Sequence, residues 1–218
     1  MRSLSEYRNI VWDFNGTLLD DLGIGIRAVN ALLLRRGLRP LASPEEYHAV
    51  FCFPIEEYYR RLGFDFSREP YEVLAVEWVN EYRAIEHTAP LREGASELIS
   101  LFAGRGLRQI VLSATEAGML REQLSALGIL ESFDTVLGRS DIYAESKLAL
   151  AEALAPSLEG RTLVIGDTSH DLEMAQILSA DAVLLRGGHT SDAALKALGC
   201  EVADGLTELG RRLTDADG

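Results

Sequence analysis

Three aspartates carry the most reactive chemistry in this sequence. Asp13 lies in "VWDFNGTLLDD", where an apolar run delivers a carboxylate to a glycine turn, so it could act as a nucleophile. Asp167 and Asp171 lie four residues apart in "GDTSHDLEMA". Two carboxylates held close together are unfavourable unless a cation lies between them, and an oxygen-only ligand set suits Mg²⁺. The alternatives are that Asp13 caps its turn, Asp167 is a turn residue and Asp171 compensates a helix dipole.

A hydroxyl and an amine could complete such a site. Ser113 ends an apolar run and could donate a hydrogen bond to a phosphate oxygen, or simply bond to the backbone. Lys147 falls in the first turn of a helix predicted to begin near Glu145, and the chain has only one other lysine, Lys196. Lys147 could neutralise a phosphate beside the carboxylates, or it could be an ordinary solvated side chain.

The elements that would position these residues alternate between strands and helices. Short apolar runs typical of buried strands occupy 9–14, 107–114, 162–167 and 181–187, with a weaker fifth at 133–138. Helical spacing of apolar residues occurs at 92–105, 116–127, 145–155 and 171–179. This alternation predicts an α/β fold with a parallel sheet covered by helices on both faces. The carboxyl ends of such strands share one edge, so the candidate residues should converge there.

The interval 20–88 breaks this alternation, because it contains several helical stretches and no good strand. Ser43 and Ser67 are expected to be helix N-caps within it. The simplest account is a helical insertion after the first strand. Its aromatic stripe is expected to form the insertion's own core or a dimer surface rather than a stacking platform, and consists of Tyr58, Tyr59, Trp78 and Tyr82.

Composition limits the partners. The 218 residues carry a formal net charge of −13, which disfavours binding to nucleic acid or to anionic membranes. No apolar run reaches the roughly 18 residues of a membrane span, and the first residues lack the apolar stretch of a secretory signal. The expected location is therefore the cytoplasm. Two cysteines are too few for a disulfide framework.

Four motifs in order resemble the haloacid dehalogenase-like hydrolase superfamily, in particular its phosphoglycolate-phosphatase-like branch. They are "DFNGTLLDD", "VLSAT", "AESK" and "VIGDTSHDLEMA", and they span most of the chain. The resemblance implies a Rossmann-like core formed by 1–19 and 89–218, with an α-helical cap of the C1 type at 20–88. "FCFP" at 51–54 resembles a specificity segment of such caps, although Cys52 stands where relatives commonly have glycine.

The resemblance also implies roles for individual residues. Asp13 would be the nucleophile that becomes an aspartyl-phosphate. Mg²⁺ would be held by Asp13, the backbone carbonyl of Asn15, Asp167 and Asp171. Lys147 would offset charge during phosphoryl transfer. The phosphate would be bound by the turn at Gly16 and Thr17, by Ser113, and by the backbone N–H of Ala114.

These roles imply a Mg²⁺-dependent hydrolase of small phosphate monoesters, similar to phosphoglycolate phosphatases. Its substrate would be a small phosphorylated metabolite, and the protein would be a monomer or a homodimer.

Asn15 departs from the family pattern, because related phosphatases usually have there an aspartate that protonates the leaving group. Three interpretations follow: a phosphatase that works without this acid, a different reaction, or a catalytically weakened protein that binds a phosphorylated ligand. His170, Glu116 or water could replace the acid. If His170 does so, His170→Ala should lower turnover at least about tenfold. Asn15→Asp should then raise turnover on sugar phosphates.

Overall fold

The computed structural model describes residues 2–140 and 147–216, and these form a six-stranded sheet with helices on both faces. All strand pairs are parallel, in the order β3-β2-β1-β4-β5-β6, which confirms the predicted fold class. The strands are β1 (Tyr7–Trp12), β2 (Arg108–Glu116), β3 (Thr135–Arg139), β4 (Arg161–Gly166), β5 (Asp181–Leu185) and β6 (Glu201–Ala203). The first five correspond to the predicted strands, and β6 was not predicted.

Helices fill the intervals between strands, and of the six that follow the insertion the apolar spacing predicted the first four but not the last two. Those after the insertion are α5 (Ala95–Gly104), α6 (Ala117–Ala126), α7 (Lys147–Leu154), α8 (Ser169–Ile177), α9 (Asp192–Ala197) and α10 (Leu206–Asp215). The predicted start of α7 near Glu145, like residues 144–146 of the third motif, lies outside the described residues. Among the described helices, none combines the length and the apolar character needed to cross a membrane.

The central strand β1 is buried from both sides of the sheet. Successive side chains of a strand point to opposite faces, so Trp12 packs in one apolar cluster with Phe102 of α5, whereas Val11 packs in another with Met174 of α8. The chain runs from β1 out to β2 and β3 on one side, and returns to β4 on the other. The carboxyl end of β1 is therefore the switch point of the sheet, where open α/β sheets form their ligand crevice.

Four α-helices occupy residues 20–88 of the connection from β1 to β2, and none of these residues, all of which the structure describes, belongs to a strand. They are α1 (Leu22–Arg35), α2 (Pro44–Val50), α3 (Ile55–Arg61) and α4 (Tyr71–Ile85). A separate apolar cluster that includes Leu33, Tyr59 and Leu74 holds them together. The chain leaves and rejoins the sheet at one place, where Asp20 N–H donates to Pro90 O (2.9 Å) and Arg92 N–H donates to Leu18 O (2.8 Å).

The two predicted N-caps have different outcomes. Ser43 Oγ accepts the Glu46 N–H at the start of α2, which confirms the first prediction. Ser67 is not a cap, because its N–H and its hydroxyl both donate to the Asp65 carboxylate, at 2.9 and 2.6 Å. Helix α4 begins only after Pro70. Pro70 itself has extended backbone angles (ψ 142°), and a residue before proline, here Glu69, also avoids helical angles, so the helix starts at Tyr71.

Candidate active site

Three carboxylates converge at the switch point. Asp13 follows β1, Asp167 follows β4, and Asp171 lies in the first turn of α8. One oxygen from each lies within 4.8 Å of the others, and all three side chains are buried. Burial and the nearby Asp171 hold the pKa of Asp13 well above its usual value, and burial likewise raises the pKa of Asp167. Such a concentration of negative charge is stabilised by a cation.

Lys147 supplies one positive charge to this cluster. Its Nζ donates to both Asp13 Oδ1 and Asp171 Oδ1, and its side chain is buried at the start of α7. Burial lowers the pKa of Lys147, but the two carboxylates outweigh burial and the net effect is a raised pKa. The alternative of a solvated helix residue is therefore wrong, and the amine stays protonated between two carboxylates.

Asp171 also shapes the turn between β4 and α8. Its Oδ2 accepts from the Asp167 N–H (3.1 Å), the Thr168 N–H (2.9 Å) and the Thr168 hydroxyl (2.9 Å). These bonds satisfy amide groups that a helix N-terminus otherwise leaves unpaired. This role at the helix N-terminus is compatible with the cation-binding role suggested by the sequence, because the other oxygen, Oδ1, accepts from Lys147.

Gly16 and Thr17 pack the loop between β1 and α1, here called the first loop, against Asp167. Gly16 has φ +73°, and a Cβ on it would lie 2.4 Å from Asp167 Oδ2. The buried Thr17 hydroxyl lies 3.4 Å from Asp13 Oδ2 and 3.3 Å from Asp167 Oδ1, so it bridges two of the carboxylates. Both residues thus fix the distance between the first and fourth motifs.

We expect Gly16→Ala to lower the free energy of unfolding by about 2–4 kcal/mol, because alanine adds backbone strain at positive φ and a clash with Asp167. Gly37→Ala is the matched control, since Gly37 has φ +66° and a Cβ there would contact nothing within 4 Å. It should lose only about 1 kcal/mol, from backbone strain alone. Urea unfolding of both variants measures the difference, and equal losses would contradict the packing role of Gly16.

The second motif contributes hydroxyls at the end of β2. Ser113 is buried, and its Oγ accepts the Thr115 N–H (3.1 Å) and donates to Thr115 Oγ1 (3.1 Å). Ser113, Ala114 and Thr115 all line the same cavity as Asp13. The hydrogen bond between Ser113 and the backbone, considered from the sequence, is therefore present. Ser113 also lines the cavity that contains the carboxylates.

Asn15 is the centre of a hydrogen-bond network rather than a passive turn residue. Its Nδ2 donates to Asp21 Oδ2 (2.7 Å) and to the Tyr82 hydroxyl (2.9 Å), and its Oδ1 accepts from Thr115 Oγ1 (2.8 Å). Tyr82 in turn donates to Asp21 Oδ2 (2.8 Å). The amide therefore joins the first loop to β2 and to helix α4, and it uses both of its polar atoms to do so.

A histidine that sequence reasoning missed pairs with Asp21. His189 Nε2 lies 3.3 Å from Asp21 Oδ1, its Nδ1 lies 2.9 Å from the Tyr47 hydroxyl, and its backbone N–H donates to Asp167 Oδ2 (2.6 Å). Burial lowers the pKa of His189, but the Asp21 carboxylate outweighs it and raises the pKa to about 9. Burial raises the pKa of Asp21, but His189 outweighs it and the net pKa is lowered. The pair is therefore ionic, and both ring nitrogens have partners.

The two side chains proposed to replace the missing acid border the cavity, as expected, and both have other partners. The His170 ring stacks on Phe53 with ring centroids 3.6 Å apart, and burial lowers its pKa. The Glu116 carboxylate caps α6 by accepting the N–H groups of Gly118 (2.8 Å) and Met119 (2.9 Å), and these bonds lower its pKa. Both residues border the cavity, but the His170 ring packs on Phe53 and both carboxylate oxygens of Glu116 accept backbone N–H groups of α6.

Arg92, which sequence reasoning also missed, holds the loop after β1 in place. Its guanidinium donates to the backbone carbonyls of Gly16 and Arg186, so it ties the first loop to the end of β5. The sequence signal for Arg92 was only its position where the insertion returns to the sheet. Its effect on the site is positional, because it contacts main-chain atoms.

A cavity of about 310 Å³ opens above the carboxylates, between the sheet edge and the helices of the insertion. The aromatic stripe was expected to form core or a dimer surface. Tyr58, Tyr59 and Tyr82 are indeed buried, but all four stripe residues, including Trp78, line this cavity. Phe53 of the "FCFP" segment lines it too. The insertion therefore covers the carboxylates with aromatic side chains.

Comparison with known proteins places the chain in one protein family. The family model described as haloacid dehalogenase-like hydrolase matches residues 10–184. A curated relative named "Probable phosphatase IndB", from Dickeya dadantii, is 27% identical over 198 residues, which cover 84% of this chain and 83% of the relative.

Solved structures share the fold over nearly the whole chain. Protein Tyrosine Kinase A of Mycobacterium tuberculosis is 24% identical with a TM-score of 0.79, over 95% of this chain and 98% of that one. A Haemophilus somnus protein described as a "predicted phosphoglycolate phosphatase" is 16% identical with a TM-score of 0.72, over 96% and 99%. At these identities the likeness shows a shared fold, consistent with the motifs found in the sequence.

Proposed function

The chain belongs to the haloacid dehalogenase-like hydrolase family, and on that premise we propose that it is a Mg²⁺-dependent phosphatase of small phosphate monoesters. The reaction passes through an aspartyl-phosphate on Asp13. The observation that carries the proposal is the buried cluster in which Asp13 lies beside Asp167, Asp171 and the protonated Lys147. The name of the Dickeya dadantii relative agrees with this activity.

The carboxylate cluster has the chemistry of a divalent-cation site. Three buried carboxylates with a single ammonium leave excess negative charge, and an oxygen-only donor set suits Mg²⁺. Asp13, Asp167 and Asp171 would hold the ion, together with the backbone carbonyl of Asn15. When bound, Mg²⁺ offsets the negative charge that the phosphoryl group brings to the carboxylates.

Asp13 performs the covalent chemistry in two steps. A carboxylate oxygen of Asp13 attacks phosphorus, the bond from phosphorus to the ester oxygen breaks, and the departing oxygen takes a proton from solvent. A water molecule then attacks the same phosphorus and gives up a proton to solvent. The bond between phosphorus and Asp13 breaks, which releases inorganic phosphate and regenerates the carboxylate.

The neighbouring groups bind and orient the phosphoryl group. Lys147 keeps a positive charge beside the attacking oxygen throughout. The turn at Gly16 and Thr17, the Ser113 hydroxyl and the Ala114 N–H provide the polar surface for the phosphoryl oxygens. Residues 20–88 act as the cap that closes this site, since the chain leaves and rejoins the sheet beside it and Tyr82 of α4 bonds directly to Asn15.

Removal and addition of Mg²⁺ test the proposal by two separate readouts. Wild-type protein should release phosphate from a phosphate monoester panel with Mg²⁺ and none with EDTA. Mg²⁺ at about a hundredfold excess over Kd should also raise Tm by roughly 5–10 °C, because the ion binds only the folded carboxylate cluster. Asp167→Asn should lose most of that rise.

Asp20→Asn is the matched control, because Asp20 is an exposed carboxylate at the rim of the same loop. It should keep both the Tm rise and the phosphate release. Equal Tm rises in Asp167→Asn and wild type would contradict the metal site. Equal phosphate release with EDTA would contradict the Mg²⁺ dependence.

The alternative raised by Asn15, a weakened protein that binds a phosphorylated ligand, gains no support from the curated relative. A binder would have no use for Asp13 as an attacking group. Saturable binding of a phosphate ester without any Mg²⁺-dependent phosphate release would favour it over the phosphatase.

A further inference from the structure

The cavity above the carboxylates is walled by aromatic rings. Phe53, Tyr58, Tyr71 and Trp78 line it from the insertion, and Met119 of α6 lines it from the core. The Trp78 ring stacks on Tyr82 with centroids 4.9 Å apart, so the wall is continuous with the network around Asn15. An apolar cavity of about 150 Å³ suffices to bind benzene. The volume of about 310 Å³ here accommodates a ring joined to a phosphoryl group.

The charged groups around this cavity do not favour a second anionic group on the substrate. Lys147 is committed to Asp13 and Asp171, and His189 is paired with Asp21. Arg139, at the end of β3, is the only arginine among the described residues that line the cavity. A single arginine can pair with one carboxylate through two parallel hydrogen bonds, but every lining residue contributed by α3 and α4 is aromatic or aliphatic. The wall therefore matches an apolar substituent better than a carboxylate such as that of phosphoglycolate.

Asn15 restricts the leaving group independently of the cavity. An amide has no proton to give at neutral pH, and both of its polar atoms are already hydrogen-bonded. An alkoxide, whose basicity is close to that of hydroxide from water at a pKa of about 15.7, departs slowly without a proton. A phenolate, with a conjugate-acid pKa of about 10, needs far less assistance. The absence of an acid at this position therefore favours an aryl ester.

From these two observations we propose that the substrate is an aryl phosphate monoester, whose ring lies in the aromatic cavity and whose phenolic oxygen is the leaving group. This inference rests on the proposed phosphatase function. The bond from phosphorus to the phenolic oxygen breaks as the Asp13 oxygen bonds to phosphorus. The phenolate keeps the electron pair and takes its proton from solvent after it leaves. Tyr58, Tyr71 and Trp78 are the residues that select the ring.

Four esters separate ring recognition from leaving-group chemistry: phenyl phosphate, benzyl phosphate, 2-hydroxyethyl phosphate and 2-phosphoglycolate. Benzyl and 2-hydroxyethyl phosphate both release an alkyl alcohol, and only the first has a ring. We expect kcat/KM for benzyl phosphate to exceed that for 2-hydroxyethyl phosphate and for 2-phosphoglycolate by at least about tenfold. The kcat/KM for phenyl phosphate should exceed that for benzyl phosphate by at least about 100-fold, because general acid catalysis contributes a factor of about this size.

The possible results have distinct meanings. If kcat/KM for benzyl phosphate does not exceed kcat/KM for 2-hydroxyethyl phosphate, ring recognition is overturned. Phenyl and benzyl phosphate turned over at similar rates would overturn the leaving-group argument, because an acid would then be at work. Either result leaves the phosphatase function intact. Absence of Mg²⁺-dependent phosphate release from all four esters would overturn both the substrate class and the phosphatase function.

A matched pair of variants on α4 tests the cavity wall. Val79 lines the cavity, whereas Val76 on the same helix is 37% exposed. Val79→Asn introduces a polar amide against the ring, so the ratio of kcat/KM for benzyl over 2-hydroxyethyl phosphate should fall at least about fivefold. Val76→Asn should leave that ratio unchanged. The ratio does not depend on the fraction of folded protein, because both substrates are turned over by the same folded molecules. Equal ratios in both variants and in wild type would overturn the assignment of this wall.

Discussion

Asp13→Asn is expected to abolish phosphate release, with a loss in kcat of at least about 10⁴-fold. The side chains are nearly identical in shape, but an amide cannot form the acyl phosphate. Lys147 retains Asp171 as a partner in the variant, so the protein should stay folded. Phosphate release at saturating Mg²⁺, with Tm recorded in parallel, measures the two effects separately.

Asp20→Asn removes an exposed carboxylate seven positions further along the same loop and serves as the control. Its kcat should remain within about twofold of wild type, since surface substitutions away from special features have small effects. A variant Asp13→Asn that keeps more than a tenth of wild-type activity would rule out Asp13 as the nucleophile.

Asn15→Asp is expected to lower both activity and stability, although it introduces the acid that related phosphatases carry. The Asn15 Nδ2 now donates to Asp21 Oδ2 at 2.7 Å, and a carboxylate there would bring two negative charges together. Because Asp21 is buried and ionised, we expect a loss of about 3 kcal/mol in the free energy of unfolding and a fall in Tm of roughly 6–12 °C. The loop that carries Asp13 should be displaced, and turnover should fall with it.

This expectation reverses the one drawn from sequence, in which the change restored a missing acid. The double variant Asn15→Asp with Asp21→Asn exchanges amide and carboxylate between the two positions. It should recover part of the lost stability, because the hydrogen bond can form in the opposite sense, while the pairing of His189 with Asp21 stays broken. Higher turnover and an unchanged Tm in Asn15→Asp alone would mean that the site is not built around the amide.

The sheet and the carboxylate cluster were predictable because both depend on local patterns. Apolar runs that end in Asp13 and Asp167 predict strands and chemistry together, and the parallel arrangement then brings them to one edge. Lys147 was predicted by the same motif order, although its burial between two carboxylates was not evident from its own neighbours in sequence.

The network around Asn15 depends on contacts that no local pattern encodes. Tyr82 is 67 residues away from its partner Asn15, and His189 is 168 residues away from Asp21. A possible signal for His189 was that it follows a predicted strand, as Asp13 and Asp167 do. Strand β6, only three residues long, is too short to produce an alternation pattern. Ser67 failed as a cap because Asp65 and Pro70 determine the local backbone instead.

The most direct test of the central claim is rapid chemical quenching during a single turnover with a ³²P-labelled phosphate monoester. If Asp13 is the nucleophile, we expect a transient label on the protein that hydroxylamine releases, as expected for an acyl phosphate, and that maps to the peptide containing Asp13. Its decay should match the appearance of inorganic phosphate. Full phosphate release with no protein-bound label throughout the turnover, or a label on any other residue, would contradict it.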